Sequence, residues 1–362
     1  MLIGICGLEF SGRNEVAKYL GHQGFTRLYI REEQPAQANG CANGTHLVSE
    51  DAVTVATSSE DAASCWKALE SISPTSCGHE MEGSIKFASA TELLEYVTKR
   101  WKNHYVTTDV HTVGTLDTLS QRPFFLLLSV QAPTSVRYER YKTGLQTDKV
   151  PVSFEDFART SDYAMYSGLN ALSSLIYRSK LQILNASQTL ELLYLRLSNL
   201  NLVDESRIRP SWDAYFMELA HLAARRSNCM KRRVGCVLVR GKRVIATGYN
   251  GTPRGVTNCN EGGCQRCNDG DTAGADLATC LCLHAEENAL MESGRERIGD
   301  ESVLYCNTCP CLTCSIKIVQ MGLNEVIYSR TYSMDEKSFK VLGEGGVKVR
   351  QYWPPEEGVV AV

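Results

Sequence analysis

The sequence predicts a two-domain α/β protein with a division near residue 205. Its 362 residues are enough to form two hydrophobic cores. In both halves, short buried strand patterns alternate with amphipathic helix patterns. Between the halves, residues 201–210 form a short polar stretch that ends in proline, which is typical of a linker. We therefore expect one domain over residues 1–204 and a second over residues 205–362.

The first domain opens as a strand, a glycine loop and a helix over residues 2–20. Gly7 and Gly12 have the spacing of a phosphate-binding P-loop, G-x-x-x-x-G-K-[ST]. Arg13 stands where that motif has lysine, and Asn14 stands where it has the hydroxyl that binds magnesium. These two replacements argue against phosphoryl transfer by this loop.

Later patterns in the first domain extend the sheet. Residues 105–109 and 124–133 predict buried strands, the first of which ends in Asp109. Arg137 and Arg140 lie three residues apart on a predicted helix. Together with the glycine loop, these features resemble the small P-loop kinases of nucleotide and coenzyme A metabolism. The resemblance implies a degenerate P-loop kinase-like, parallel-sheet domain that acts as a scaffold or senses a ligand, with an active kinase as the alternative.

Residues 32–82 interrupt the first domain. They are rich in Ala, Ser, Thr and Gly and contain few large apolar side chains. We interpret them as an insertion of loops, with one helix around residues 66–69.

The second domain is predicted to be a compact α/β unit with about five strands. A helix over residues 212–224 comes first, and two further helices begin at His284 and at Pro310. The last of these ends at Gly322, because proline in the first turn and glycine after the last turn are common helix boundaries. The predicted strands are residues 234–239, 243–248, 303–306, 326–329 and 347–350.

Two of these helix starts carry the residues of a metal site. His284 begins one helix, and Cys311 and Cys314 share a face of the other. One imidazole and two thiolates leave a tetrahedral zinc with an open fourth position, which is typical of a catalytic site. Glu286 can reach that position without coordinating the metal. The order H-x-E…P-C-x-x-C is that of zinc nucleobase deaminases, and a structural zinc knuckle or a pair of reduced cysteines is the alternative.

Five runs surround and include this site in a fixed order over residues 209–352. They are RRVGCV from Arg232, GYNGTPRG from Gly248, NCN from Asn258, CLHAEEN from Cys282 and NTCPCLTC from Asn307. Together they resemble the deoxycytidylate (dCMP) deaminase family, notably its fungal form. The resemblance implies a cytidine deaminase-like, three-layer α/β/α domain with a mixed five-strand sheet. It also implies hydrolysis of dCMP to dUMP and ammonia, which supplies thymidylate synthesis, in a homo-oligomer that dCTP activates and dTTP inhibits.

The same resemblance assigns roles to single residues. Glu286 would take a proton from water and pass protons to N3 of cytosine and to the leaving amine. The glycine-rich loop, which is the GYNGTPRG run of residues 248–255, would contact the nucleotide through Asn250, Gly251 and Thr252, with Asn250 at the base or sugar. Arg254 would meet the substrate phosphate or an effector triphosphate. Simple turn chemistry is the alternative for this loop.

Six cysteines outside the catalytic set predict a second, structural zinc. They are Cys229, Cys259, Cys264, Cys267, Cys280 and Cys282. Relatives in the resembling family hold a structural zinc through cysteines that align with Cys229 and Cys259, completed by histidines that this chain lacks. Cys264 and Cys267 have ligand spacing and are expected to replace those histidines, with Cys280 and Cys282 as the alternative. Buried, reduced cysteines without metal are the other possibility.

Composition limits the partners and the compartment. Hydrophobic residues make up 43% of the chain and charged residues 22%, and no apolar run approaches the roughly 18 residues that span a bilayer. The N-terminus lacks the basic region of a signal peptide. A net charge of −3 argues against binding nucleic acid along its backbone. We therefore expect a small-molecule nucleotide as the partner, with neither nucleic acid nor a membrane.

Cysteine usage indicates a reducing compartment. Eleven of the fifteen cysteines lie between Cys229 and Cys314, whereas a disulfide framework would spread them more evenly through a smaller chain. We expect the protein in the cytoplasm, with the nucleus as a further location.

The alternative functions are a zinc deaminase of nucleic acid or of a free nucleoside, and a regulatory protein with an inactive deaminase fold.

Overall fold

The computed structural model describes residues 1–31, 85–144, 151–168, 171–269, 280–299, 301–331, 335–354 and 358–362. These residues form two compact units, one of Met1–Ile208 with Glu356–Val362 and one of Arg209–Pro355. The division therefore lies at Ile208, close to the expected boundary at 204. The predicted insertion at residues 32–82, with its helix, lies outside the described residues.

The first unit contains a seven-stranded parallel sheet. Its strands are β1 (Leu2–Cys6), β2 (Thr26–Ile30), β3 (Ile85–Phe87), β4 (Tyr105–Thr107), β5 (Phe125–Gln131), β6 (Leu181–Leu184) and β12 (Gly358–Ala361). They lie in the order β12-β6-β5-β1-β4-β2-β3. Its α-helices are α1 (Arg13–His22), α2 (Ala90–Thr98), α3 (Val113–Leu119), α4 (Thr134–Gly144), α5 (Phe154–Tyr166), α6 (Leu172–Arg178) and α7 (Leu190–Leu200).

The position of β1 explains its composition. All five of its residues are buried, because β4 and β5 pair with its two edges and apolar side chains cover both faces of the sheet. The glycine loop follows the carboxyl end of this central strand. The parallel sheet predicted for the first domain is confirmed, whereas its relationship to P-loop kinases stays a prediction.

The C-terminus differs from the expected domain limits. Residues 205–362 were predicted as one domain, but β12 pairs in parallel with β6 and adds an edge strand to the first sheet. Val362 is buried in the core of that unit. The chain therefore leaves the second unit near Pro355 and returns to the first, where β12 forms its backbone hydrogen bonds with β6.

The second unit contains a mixed five-stranded sheet, as predicted. Its strands are β7 (Gly235–Arg240), β8 (Arg243–Tyr249), β9 (Ser302–Thr308), β10 (Glu325–Arg330) and β11 (Lys348–Gln351), in the order β11-β10-β9-β7-β8. Its α-helices are α8 (Trp212–Ala224), α9 (Gln265–Asn268), α10 (Ala285–Ile298), α11 (Leu312–Met321) and α12 (Asp335–Glu344). β7 is antiparallel to β8 and β9, and β9, β10 and β11 run parallel.

Side chains of β7 point alternately to the two faces of the sheet, and this alternation produces the three layers. Cys236 and Leu238 face a core that α10, α11 and α12 share, whereas Val237 and Val239 face a core shared with α8. The sheet is thus covered by helices on both faces. Among the described residues, no helix is both long and apolar enough to cross a membrane.

Candidate active site

The first candidate metal ligand lies at the start of α10. His284 is the N-cap residue of this helix, and its backbone N–H donates to Glu287 Oε2 at 2.9 Å. The other carboxylate oxygen of Glu287 accepts a hydrogen bond from Lys317 on α11. Glu287 therefore fixes the start of α10 and connects it to α11. A carboxylate in the first turn also interacts favourably with the helix dipole.

The two candidate thiol ligands lie at the start of α11. Cys311 is the N-cap residue and Cys314 lies in the first turn, while Gly322 ends the helix in a left-handed conformation with φ of 79°. Both sulfur atoms lie 3.3 Å from His284 Nδ1. Nitrogen and sulfur ligands on one tetrahedral zinc are about 3.5 Å apart, given bonds of about 2.0 and 2.3 Å. The three side chains therefore fit a zinc ion, with Nδ1 as the imidazole donor.

The protonation of these ligands also fits a cation. The hydrogen bond from Cys314 lowers the pKa of the Cys311 thiol to about 4, and the same bond raises the pKa of Cys314. The hydrogen bond to Cys311 raises the pKa of His284 to about 9. One thiolate is thus stabilised by two neighbouring proton donors, and a zinc ion would take the place of both donors.

Glu286 is the buried acid–base candidate. It lies in the first turn of α10, only 3% exposed. Burial raises the pKa of its carboxyl to about 7, against a smaller opposing effect of His284. A carboxyl that exchanges its proton near neutral pH suits general acid–base catalysis.

His284, Glu286 and Cys311 face one cavity of about 630 Å³. Lys231, Arg232 and Arg266 also line it, so three cationic side chains share the cavity with the carboxyl groups of Glu286 and Glu287. The cavity is of the size that holds a small organic ligand. Arg232 begins one of the motif runs in the sequence, whereas Arg266 carries no motif signal and was missed by the sequence analysis.

Asn250 has a structural task in this cavity wall. Its Oδ1 accepts hydrogen bonds from Ser227 Oγ at 2.7 Å and from the Val234 N–H at 2.8 Å. Its Nδ2 donates to the Arg232 carbonyl at 2.7 Å. The side chain therefore joins the glycine-rich loop to the segment that carries the basic residues, and it lines the cavity as well.

The rest of the glycine-rich loop is tied to the ligand segment. Gly251 and Leu283 exchange two backbone hydrogen bonds, and a Cβ on Gly251 would lie 2.5 Å from Asn228 Oδ1. Thr252 Oγ1 is buried and has no hydrogen-bond partner within the part of the chain that the structure describes. Arg254, by contrast, is exposed. The structure thus brings Asn250 to the cavity and leaves Arg254 at the surface.

The six remaining cysteines form a separate group, here called the cysteine cluster. They are Cys229, Cys259, Cys264, Cys267, Cys280 and Cys282. Among the described residues they make two sets with metal-ligand geometry, and Cys267 and Cys282 belong to both sets. Cys229 and Cys259 complete one set, whereas Cys264 and Cys280 complete the other. The four cysteines expected to bind a second zinc are therefore divided between the two sets.

The glycine loop of the first unit is held by its own side chains. Arg13 donates to the Gly7 carbonyl at 3.3 Å and pairs with Glu9. Asn14 Oδ1 accepts a hydrogen bond from Arg27 at 2.8 Å. The two residues that replace the P-loop lysine and hydroxyl are thus engaged within the protein.

Comparisons with known proteins show that the second unit is similar to deaminases. Residues 210–330 match the family model described as the cytidine and deoxycytidylate deaminase zinc-binding region. The deoxycytidylate deaminase of Schizosaccharomyces pombe is 51% identical over 277 residues, which are 76% of this chain and 85% of that protein. The deoxycytidylate deaminase of Saccharomyces cerevisiae is 48% identical, over 74% of this chain and 86% of its own.

A solved structure is similar over a smaller part of the chain. The dCMP deaminase of cyanophage S-TIM5, in complex with dCMP and dUMP, is 34% identical over 38% of this chain and 94% of its own, with a TM-score of 0.31. The two yeast enzymes extend the similarity well beyond the zinc-binding region, to about three quarters of the sequence. At 51% and 48% identity to these two relatives, over about three quarters of its length, this chain belongs to the deoxycytidylate deaminase family.

Proposed function

We propose that this chain hydrolyses dCMP to dUMP and ammonia, with Glu286 moving the protons. The observation that carries the proposal is the buried Glu286 carboxyl, which faces the same cavity as His284 and Cys311. Membership of the deoxycytidylate deaminase family supports the substrate. Water adds at C4 of the cytosine ring, and the C4–N4 bond breaks to release ammonia.

The protein supplies the proton transfers. Glu286 takes one proton from the attacking water and delivers it to N3 of the ring, then moves the second proton to the leaving amine. Its pKa of about 7 lets the same group accept and release protons at neutral pH. Zinc held by His284, Cys311 and Cys314 would supply Lewis-acid chemistry that lowers the pKa of water.

The basic wall of the cavity, formed by Lys231, Arg232 and Arg266, is proposed to select the monophosphate. Lys231, Arg232 and Arg266 line the cavity that contains Glu286, and charged donors bind phosphate oxygens strongly in such sites. Asn250 is proposed to hold Arg232 in place by donating a hydrogen bond to the Arg232 backbone carbonyl, in addition to any contact with the nucleotide. Gly251 keeps the loop close to Leu283, and Thr252 follows it in the same loop.

Regulation and assembly form a further part of the proposal. We propose a homo-oligomer that dCTP activates and dTTP inhibits, with Arg254 as a candidate effector contact because it is exposed. The support is the motif resemblance of residues 209–352 to the family. Initial rates with each triphosphate, together with molar mass from light scattering, test both points. A monomer with rates unchanged by either triphosphate would contradict them.

The Glu286→Gln variant tests the proposed proton shuttle. Glutamine keeps the size and burial of the side chain but cannot transfer protons, so dCMP turnover should fall by at least about 10²-fold. Zinc content and the free energy of unfolding should stay close to the wild type. Glu292→Gln is the matched control, because Glu292 lies on the same helix and is exposed. Near-normal turnover in Glu286→Gln would refute the proposed role.

A further inference from the structure

The cysteine cluster gathers side chains from separate parts of the second unit. Cys229 follows α8, Cys259 lies in the 3-10 turn Cys259–Glu261, and Cys264 and Cys267 lie at α9. Cys280 and Cys282 lie in the segment that leads into α10. Four of the six are buried. These six cysteines are not part of the set formed by His284, Cys311 and Cys314, although four of them also line the cavity beside that set.

The sulfur atoms are spaced as ligands and not as disulfides. Cys267 Sγ lies 3.8 Å from the sulfurs of Cys229 and Cys280 and 4.0 Å from that of Cys282. Cys264 Sγ lies 4.0 Å from Cys280 Sγ. A disulfide requires about 2.05 Å, whereas two thiolates on one tetrahedral zinc lie about 3.8 Å apart when each Zn–S bond is about 2.3 Å. These distances therefore match the edges of zinc tetrahedra.

Two tetrahedra can be traced, and they share an edge. Cys229, Cys259, Cys267 and Cys282 form one set, and Cys264, Cys267, Cys280 and Cys282 form the other, each with all sulfurs within 4.8 Å of one another. A single zinc in either set would leave two cysteines of the other set beside it without a metal. Two zinc ions, bridged by the shared sulfurs, would use all six side chains.

We propose that the cysteine cluster binds two zinc ions as a binuclear Zn2Cys6 centre, with Cys267 and Cys282 as bridging ligands. Clusters of this stoichiometry occur in DNA-binding modules. Here the centre would cross-link loops that have little other secondary structure. It differs from the single structural zinc that the sequence predicts, because it requires Cys280 and Cys282 in addition to the four expected ligands.

Hydrogen bonds to the sulfurs support ligation. The Met230 N–H donates to Cys259 Sγ at 3.4 Å, and Asn268 Nδ2 approaches the same sulfur at 3.9 Å. Backbone N–H groups of Lys231 and Arg232 donate to Cys229. Such donors stabilise thiolates and commonly surround metal ligands. Two dications would offset most of the charge of six thiolates, four of which are buried and would otherwise be costly.

The location gives the centre a positioning role. Cys282 precedes His284 by two residues, and Leu283 between them is paired with Gly251. Cys229 precedes the cavity-lining residues Lys231 and Arg232. The centre would therefore hold both the start of α10 and the basic wall of the cavity.

Metal counting is the first test and needs no variant. The purified full-length chain, loaded with zinc and dialysed, should contain about three zinc ions by mass spectrometry of the intact protein, one at the catalytic ligands and two in the cluster. Elemental analysis should give the same ratio. Two zinc ions per chain, or iron in place of zinc, would overturn the proposal. This readout is independent of dCMP turnover.

Bridging is tested by cadmium-113 substitution of the full-length chain. In proton–cadmium correlation spectra, the β-protons of Cys267 and Cys282 should each couple to two cadmium resonances. The β-protons of the terminal ligands, such as Cys229 and Cys264, should couple to one. A spectrum in which every cysteine couples to a single cadmium would overturn the binuclear assignment.

Variants separate terminal from bridging ligands. The double substitution Cys264→Ser and Cys280→Ser should lose one zinc ion, whereas Cys282→Ser should lose both ions of the cluster. Cys236→Ala is the matched control, since Cys236 is a buried cysteine of β7 outside every candidate ligand set of the described residues, and it should lose none. Loss of no zinc in the double variant would contradict the shared-edge arrangement.

Discussion

Asn250 illustrates how a motif residue can serve the protein and the substrate together. The motif predicts a nucleotide contact, and the residue does line the cavity. Its side chain nevertheless makes three hydrogen bonds within the protein, to Ser227, Val234 and Arg232. These bonds fix the position of the basic wall relative to the glycine-rich loop.

Asn250→Ala should therefore affect both stability and substrate binding. The Val234 N–H and the Arg232 carbonyl would lose buried partners, which costs about 1–3 kcal/mol of unfolding free energy. KM for dCMP should rise more than kcat falls, because the phosphate-binding wall loses its support. Denaturant titration and steady-state kinetics measure the two effects. Asn324→Ala is the control, since Asn324 is exposed and accepts one hydrogen bond from Glu301; equal losses in both variants would contradict this role.

The convergence of His284, Cys311 and Cys314 could be predicted from spacing because these residues lie close to one another in sequence at two helix starts. Cys311 and Cys314 share one turn, and His284 with Glu286 share another. The sharing of Cys267 and Cys282 could not be predicted in the same way. It depends on how separate segments of the chain meet in space, and sequence spacing carries no information on that.

At the scale of elements, the approach of β8 to α10 determines where the catalytic helix lies. Gly248 on β8 faces this helix, and a Cβ built there would lie 2.0 Å from the Ala285 carbonyl oxygen and 2.7 Å from the Ala289 nitrogen. Both contacts are with backbone, which cannot rotate away. Glycine at this position therefore lets the strand pack directly against the first turn, beside Glu286.

Gly248→Ala should displace α10 and weaken the site. Overpacking against backbone should cost about 1–3 kcal/mol of unfolding free energy. Zinc affinity at the catalytic ligands should fall as well, because His284 begins the displaced helix. Gly343→Ala is the matched control, as Gly343 is helical, exposed and has open space for a Cβ; it should gain up to about 1 kcal/mol. A stable, fully active Gly248→Ala variant would contradict this account.

Elements with strong periodicity were predictable, and the last strand was not. The helix predicted at residues 212–224 is α8 with the same limits, because its N-cap and its apolar face are both local signals. β12 has only four residues, and three of them are exposed. Its place depends on the free edge of β6, which lies far away in sequence. A short edge strand therefore carries too little pattern to reveal its partner.

At the scale of the whole molecule, every proposed catalytic residue lies within Arg209–Pro355. A fragment of residues 209–355 should therefore fold, bind zinc and deaminate dCMP. A fragment of residues 205–362 should be less soluble, because it carries β12 without the strand that β12 pairs with. Sedimentation after purification and ammonia release compare the two. A folded, zinc-loaded 209–355 fragment without activity would contradict the assignment of the chemistry to this unit.

The most direct test of the central claim is product formation by the purified, zinc-loaded full-length chain. In separate reactions, dCMP, deoxycytidine and a cytosine-containing single-stranded oligonucleotide are supplied at equal concentrations. Uracil products and ammonia are followed together in each reaction. The account predicts one dUMP for each ammonia from dCMP, with kcat/KM for deoxycytidine lower by at least about 10²-fold, since that substrate lacks the phosphate. Absence of dUMP, or a preference for deoxycytidine or the oligonucleotide, would contradict it.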